Sequence, residues 1–339
     1  AEERPRSARQ AAGGVRLRAA QQCRGDAPLV SFAGIDRVRG LAGRGLQAAV
    51  EQQVFGVSGV HEVGIVAAPT MRRMSSVRHF LLALQFFTRI PVTGRLADWV
   101  GYSPAMLNAA SAHFPGVGWV VGGVAAGVMA VALRLLPAGQ LGALVAALLA
   151  TIATAWLTGA FHEDGLADTA DGLGGGATSE RALEIMKDSR IGSYGTVTLV
   201  LALGLKVALL ALIAQRGAWP VVAALLAGHV LSRLAPLVLM RSLPYVSDAA
   251  QAKAKPVAEA LTGAGFRVGC LWSIPALAMV WQALGALELI VCLLLWAAAL
   301  AYMLRLLRRR LQGFTGDTLG ATQQLCEGAL YLGLALAWR

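Results

Sequence analysis

Apolar residues along this chain come in long unbroken blocks, and the polar ones collect in the connections between them. Blocks at about 114–136, 141–160, 195–214, 219–240, 268–284, 286–304 and 325–338 each approach the roughly 20 residues that a helix needs to cross a hydrocarbon core. The last few are marginal in length, and a short block can tilt, re-enter or be buried by its neighbours. Between 77 and 92, Phe80, Leu81, Leu84, Phe87 and Ile90 recur at helical spacing with Arg78 and Arg89 at the edges. That pattern predicts a short amphipathic helix lying on the membrane surface. Residues 93–113 read as a polar connection. The pattern as a whole predicts an all-α, polytopic membrane bundle of six to seven transmembrane helices over residues 75–339.

A length of 339 residues could hold two soluble domains, but 56% hydrophobic residues and a mean hydropathy of +0.60 point to an integral membrane protein. The formal net charge of +11 raises nucleic acid as a partner. Its distribution answers otherwise. The connections at 161–194, 241–267 and 305–324 lie on one side of the predicted bundle. They hold Arg181, Lys187, Arg190, Arg241, Lys253, Lys255, Arg267, Arg305, Arg308, Arg309 and Arg310, whereas the opposite connections hold only Arg134 and Arg216. The positive-inside rule accounts for this asymmetry and places the charged connections in the cytoplasm, with lipid and not nucleic acid as the partner. Cys23, Cys270, Cys292 and Cys326 show no ligand spacing and read as small apolar residues. Residues 1–70 lack a long apolar block, are rich in Arg, Ala and Gly, and stop at Met71, Arg72, Arg73 and Met74. They read as an extension, disordered or left by a misassigned start, with no function expected.

Chemistry concentrates in Phe161-His162-Glu163-Asp164-Gly165-Leu166-Ala167-Asp168-Thr169-Ala170-Asp171-Gly172, at the mouth of a predicted span in a chain only 14% charged. On a helix, Asp164, Asp168 and Asp171 share one stripe about 60° wide. Like charges so close repel unless a cation lies among them, and a hard divalent ion that also takes phosphate oxygens, Mg²⁺, is the expected one. Beyond a flexible Gly172–Gly176 come Lys187, Asp188 and Arg190, where the cations would neutralise phosphate and Asp188 would be a further metal ligand or an arginine partner. Gly316-Asp317-Thr318-Leu319-Gly320, on the same predicted face, suits close backbone approach to an anion or sugar. Within the spans, Lys206 is expected to face an anionic cavity. His229 and Arg233, four residues apart, face the same way, with Arg233 either snorkelling to headgroups or binding substrate. Glycines in Gly118, Gly122-Gly123 and Gly127 suit tight helix packing.

Carboxylates, a divalent cation and nearby Lys and Arg fit displacement at a diphosphate. Serine or cysteine nucleophile chemistry and zinc hydrolysis find no supporting arrangement around His162. The residues quoted resemble the cobalamin synthase family, the adenosylcobinamide-GDP ribazoletransferases. The resemblance runs through Phe161–Gly172, Ala182–Gly195, Gly316–Ala321, Phe86–Val92 and Phe114–Gly118, and covers about residues 75–339. It implies a multi-pass inner-membrane transferase that needs Mg²⁺ and joins adenosylcobinamide-GDP to α-ribazole or its 5′-phosphate, with release of GMP. By that resemblance Asp164, Asp168 and Asp171 hold Mg²⁺, and Lys187, Arg190 and Lys206 counter phosphate charge. An Asp or His162 takes the proton of the attacking ribazole hydroxyl, and other corrinoid enzymes are partners. A CDP-alcohol phosphotransferase-like enzyme is the nearest alternative, although Ala167 is followed here by Asp168 where that family resembles Ala-Arg. An ion-coupled transporter is a weaker one.

Overall fold

The computed structural model describes residues 69–246 and 261–337, so most of the N-terminal extension, Cys23, Lys253 and Lys255 lie outside the described residues. Ala67–Arg339 forms one unit. Among the described residues it is all helix, with one isolated bridge between Tyr245 and Phe314. The elements are α1 (Pro69–Phe87), α2 (Arg95–Val100), α3 (Pro104–Ala110), a 3₁₀ turn (Ser111–His113), α4 (Phe114–Leu135), α5 (Gln140–Thr158), α6 (Phe161–Gly175) and α7 (Ser179–Met186). They continue with α8 (Ser193–Ala214), α9 (Ala218–Ser232), α10 (Ala235–Ser242), α11 (Gly263–Ala283), α12 (Ala286–Arg310) and α13 (Gly316–Leu336). Six helical stretches are long and apolar enough to cross a membrane: Pro104–Leu135, Gln140–Thr158, Ser193–Ala214, Ala218–Ser242, Gly263–Ala283 and Ala286–Arg310. The molecule is a polytopic membrane bundle.

Three expectations change. The polar connection at 93–113 is mostly helical, because Ser103 caps α3 by accepting from Met106 N and Pro104 sits in the first turn, where its missing N–H costs nothing. Gly172–Gly176 is not a flexible linker, since α6 continues to Gly175; these glycines let neighbours in. A Cβ on Gly172 would lie 2.8 Å from Ala182 O, and one on Gly174 2.6 Å from the Tyr194 ring. The seventh block is the end of α13, whose interior carries Thr318, Thr322, Gln323, Glu327 and Tyr331, all buried. It packs against α6, α8, α9, α10 and α12 and forms the centre of the bundle.

Burial separates inner from outer helices. Of the most apolar window, 78% is buried in Ala218–Ser242 but 17% in Ala286–Arg310, so the former is a core element and the latter a lipid-facing one. On α8, Val197, Val200, Leu201, Leu205 and Leu212 are exposed on one stripe while Lys206, Leu210 and Ile213 point inward. Glycine sets the inner spacings: Gly118 of α4 meets His229 O of α9, and Gly333 of α13 meets the backbone of Cys292 on α12, at distances that exclude a methyl group. At the far end from α6, Arg216 and Glu288 pair at 3.0 Å and tie the α8–α9 turn to the start of α12.

Candidate active site

α6 and α13 cross antiparallel at backbone contact. A Cβ on Gly165 would lie 2.7 Å from Asp317 O, and one on Gly320 3.3 Å from His162 Cα, so rising numbers on one helix meet falling numbers on the other. Gln324 Nε2 donating to Glu163 Oε1 at 3.0 Å continues that register. The crossing brings Asp317, in the first turn of α13, beside the Asp164–Asp168 stripe of α6. Thr315 and Thr318 build a capping box that fixes this turn, with Thr315 N donating to Thr318 Oγ1 at 2.9 Å and Thr318 N to Thr315 Oγ1 at 3.3 Å. Thr318 is fully buried in that cap, so it shapes the site and does not offer its hydroxyl to a ligand.

The stripe is graded. Asp164 is exposed, Asp168 half-buried and Asp171 buried. Asp168 is pushed up to about 7 by burial first, then by the charges of Asp164, Asp317 and Asp171. Burial above all raises Asp317 as well; a backbone N–H opposes the shift and Asp164 adds to it. Asp171 has other work than the expected metal ligation: Gly192 N donates to its Oδ2 at 2.7 Å and Gly195 N to its Oδ1 at 2.8 Å. Both oxygens thereby cap the start of α8. Asp188 is likewise a partner for arginine and not for metal, because Arg190 binds it at 2.6 Å on the surface and holds its carboxyl well below the usual carboxylate range. That pairing also takes up the Arg190 guanidinium, while Lys187 stands exposed at the C-cap of α7.

Lys206 does face an anion, but a protein one. Its Nζ lies 2.7 Å from Glu327 Oε1, with both side chains buried. Tyr331 OH donates to the same oxygen at 3.0 Å, and Gln323 Nε2 donates to Glu327 Oε2 and to Ser232 Oγ, each at 2.8 Å. Lys206 is thus held inside the bundle and is not available to phosphate. Arg233 is also buried and does not snorkel: its Nη1 donates to His229 O at 2.9 Å. His162 is buried, stacked on Phe87 with ring centroids 5.7 Å apart, and burial, with Arg233 adding to it, keeps its imidazole neutral at pH 7. Arg310 Nη2 donates to Leu173 O at 3.0 Å and Gly176 O at 2.6 Å, closing the C-terminal end of α6.

Among the described residues no three His, Cys, Asp or Glu side chains converge closely enough to hold an ion unaided. The donor set still fits Mg²⁺, which is ordinarily bound by one or two carboxylates with the remaining positions filled by water and substrate phosphate oxygens. An Asp168 driven toward protonation by burial and by neighbouring acids is a group that a cation would relieve. Asp164, Asp168 and Asp317 are the acids left for that role.

Residues 79–335 match the family model described as cobalamin-5-phosphate synthase. The chain is similar to the adenosylcobinamide-GDP ribazoletransferase of Polaromonas naphthalenivorans, 56% identical over 273 residues, which is 77% of this chain and 98% of that relative. It is similar also to the proteins of the same name from Leptothrix cholodnii, 49% identical over 77% of this chain and 96% of the relative, and from Vibrio cholerae, 42% identical over 75% and 91%. No solved structure matches it.

Proposed function

The chain belongs to the cobalamin-5-phosphate synthase family, and from that we propose that it joins adenosylcobinamide-GDP to ribazole or ribazole 5′-phosphate and releases GMP. In this reaction an acceptor ribose hydroxyl attacks the phosphorus that carries cobinamide, the new P–O bond forms as the bond to GMP breaks, and the hydroxyl proton passes to a base. An Asp of the stripe or His162, whose plane Phe87 fixes beside the α6–α13 crossing, takes that proton. One or two of Asp164, Asp168 and Asp317 would hold Mg²⁺, with water and substrate phosphate oxygens as its other ligands. When bound, the ion neutralises charge on the diphosphate and on the departing GMP. Lys187 supplies further positive charge from the loop after α7. The reading rests above all on the glycine-tight crossing that sets Asp317 beside Asp164 and Asp168.

The site lies at the end of the bundle where the charged connections gather. By the positive-inside rule this end is cytoplasmic, and an inner membrane is what the family resemblance implies. The deciding experiment supplies the protein, reconstituted in liposomes, with adenosylcobinamide-GDP, α-ribazole 5′-phosphate and Mg²⁺, and measures GMP. Mg²⁺-dependent GMP release is expected; its absence overturns the proposal.

A further inference from the structure

Next to the carboxylates is a cavity to which the displacement chemistry gives no task. Its walls are the rings of Phe86, Phe87, Phe114, Phe161 and His162, with Arg233 as a charged wall and small or aliphatic residues of α10 and α13 completing it. Arg233 is 3% exposed, and its Nε has no hydrogen-bond partner. A buried guanidinium with an unused donor, set into an aromatic cavity, calls for an explanation. Glu327, shared with Lys206, and Glu163 offset the charge of Arg233, so what is left over is its unpaired Nε. Placement supplies the rest: His162 and Gly320 both line the cavity where α6 and α13 cross, and three residues further along α6 Gly165 meets Asp317. Cavity and acids are therefore about one helical turn, roughly 5 Å, apart.

We propose that this cavity is the acceptor pocket, in which the flat base of ribazole lies among the phenylalanine rings and Arg233 receives the acceptor's 5′-phosphate. The inference rests on the transferase reading and makes it specific. Guanine, the other flat base in the reaction, presents a row of donors and acceptors along one edge. Among the side chains that line the cavity, His162 and Arg233 are the polar ones that could answer them, so guanine would leave polar groups unpaired, whereas a benzimidazole has no such edge. A guanidinium matches phosphate oxygens in pairs, so Arg233 discriminates between ribazole and its 5′-phosphate. The cavity as it stands holds about 30 Å³, room for one water, so the base enters by displacing a wall. Phe161 is that wall: it is 38% exposed and meets Phe86 and Phe87 edge-on at 5.7 and 5.6 Å.

The test measures binding without donor, by calorimetry on the full chain in detergent, with α-ribazole 5′-phosphate, α-ribazole and GMP as separate probes. Arg233→Gln is expected to weaken the 5′-phosphate probe by about 30-fold and α-ribazole by less than about threefold. Phe161→Ala, at a partly exposed position whose ring meets Phe86, Phe87 and His162 edge-on, is expected to weaken both ribazole probes by about tenfold and leave GMP unchanged. Equal losses for both ribazole probes in Arg233→Gln overturn the phosphate assignment, and a loss of GMP binding in Phe161→Ala gives the pocket to the donor. Should Arg233→Gln not fold, Arg233→Lys, which keeps the charge and loses the fork, reads the same preference at smaller amplitude. Wild-type turnover with pocket variants that bind normally refutes this pocket alone; wild-type protein that neither binds ribazole nor releases GMP refutes the function as well.

Discussion

At the scale of single residues, the acids of α6 divide their labour by depth. Asp168 carries the tension of the site, since its carboxyl is pushed up to about 7 by burial and neighbouring acids. A carboxylate raised in the folded state binds more protons than in the unfolded chain between about 4 and 7, so its cost to stability grows as pH rises through that window. Asp168→Asn should therefore abolish turnover yet raise the melting temperature of metal-free protein at pH 8, with the gap closing toward pH 4. It should also remove the stabilisation that Mg²⁺ gives the wild type; thermal scans across pH with and without Mg²⁺ decide this. Glu327 is the opposite case, a buried charge fully engaged by Lys206, Tyr331 and Gln323. Glu327→Gln should destabilise by roughly 3–5 kcal/mol by stranding Lys206, and Lys206→Met added to it should recover most of that loss. Denaturation of the two variants in one detergent gives the answer. The Asp stripe was legible because helical spacing is local. The partners of Asp171 and Lys206 were not, because Gly192, Gly195 and Glu327 reach them only through the packing of distant helices.

At the scale of elements, glycine position decides which helices touch. Gly118 and Gly122 of α4 sit against α9, as expected for a glycine-rich span, but Gly123 and Gly127 face open space. Sequence marks such a helix as able to pack tightly and cannot say which glycine is at the contact. Gly165→Ala would press a methyl group onto Asp317 O and separate α6 from α13. Turnover should fall by about 100-fold with helicity retained, since small misplacements of reacting groups are that costly. Gly123→Ala, which meets nothing within 4 Å, should match the wild type in both circular dichroism and GMP release. The role of α13 was the least legible part of the fold. Its apolar end reads as a marginal span, and only its buried Gln323 and Glu327 and its contact with α6 reveal a central element.

At the scale of the molecule, polarity along the membrane normal sorts the parts. The Arg216–Glu288 pair marks one end and the Asp-bearing crossing the other. With the acids in the cytoplasm, Ser189→Cys should react with an impermeant maleimide in inverted vesicles only, and Gln215→Cys in right-side-out vesicles only; the reverse pattern would place the site outside. The helices that meet lipid, α5, α8, α11 and α12, form an outer sleeve, in which α8, α11 and α12 pack on α9 or α13 and α5 packs on α4 and α8. The proposed reacting groups belong chiefly to α6 and α13, whose spacing is set by backbone against backbone at Gly165 and Gly320. A sleeve can tilt to follow its bilayer while that inner crossing keeps its geometry. Thickness of the host membrane should therefore be a poor lever on catalysis: GMP release in liposomes of short and long acyl chains should differ by less than about threefold, far below the effect of one methyl group on Gly165.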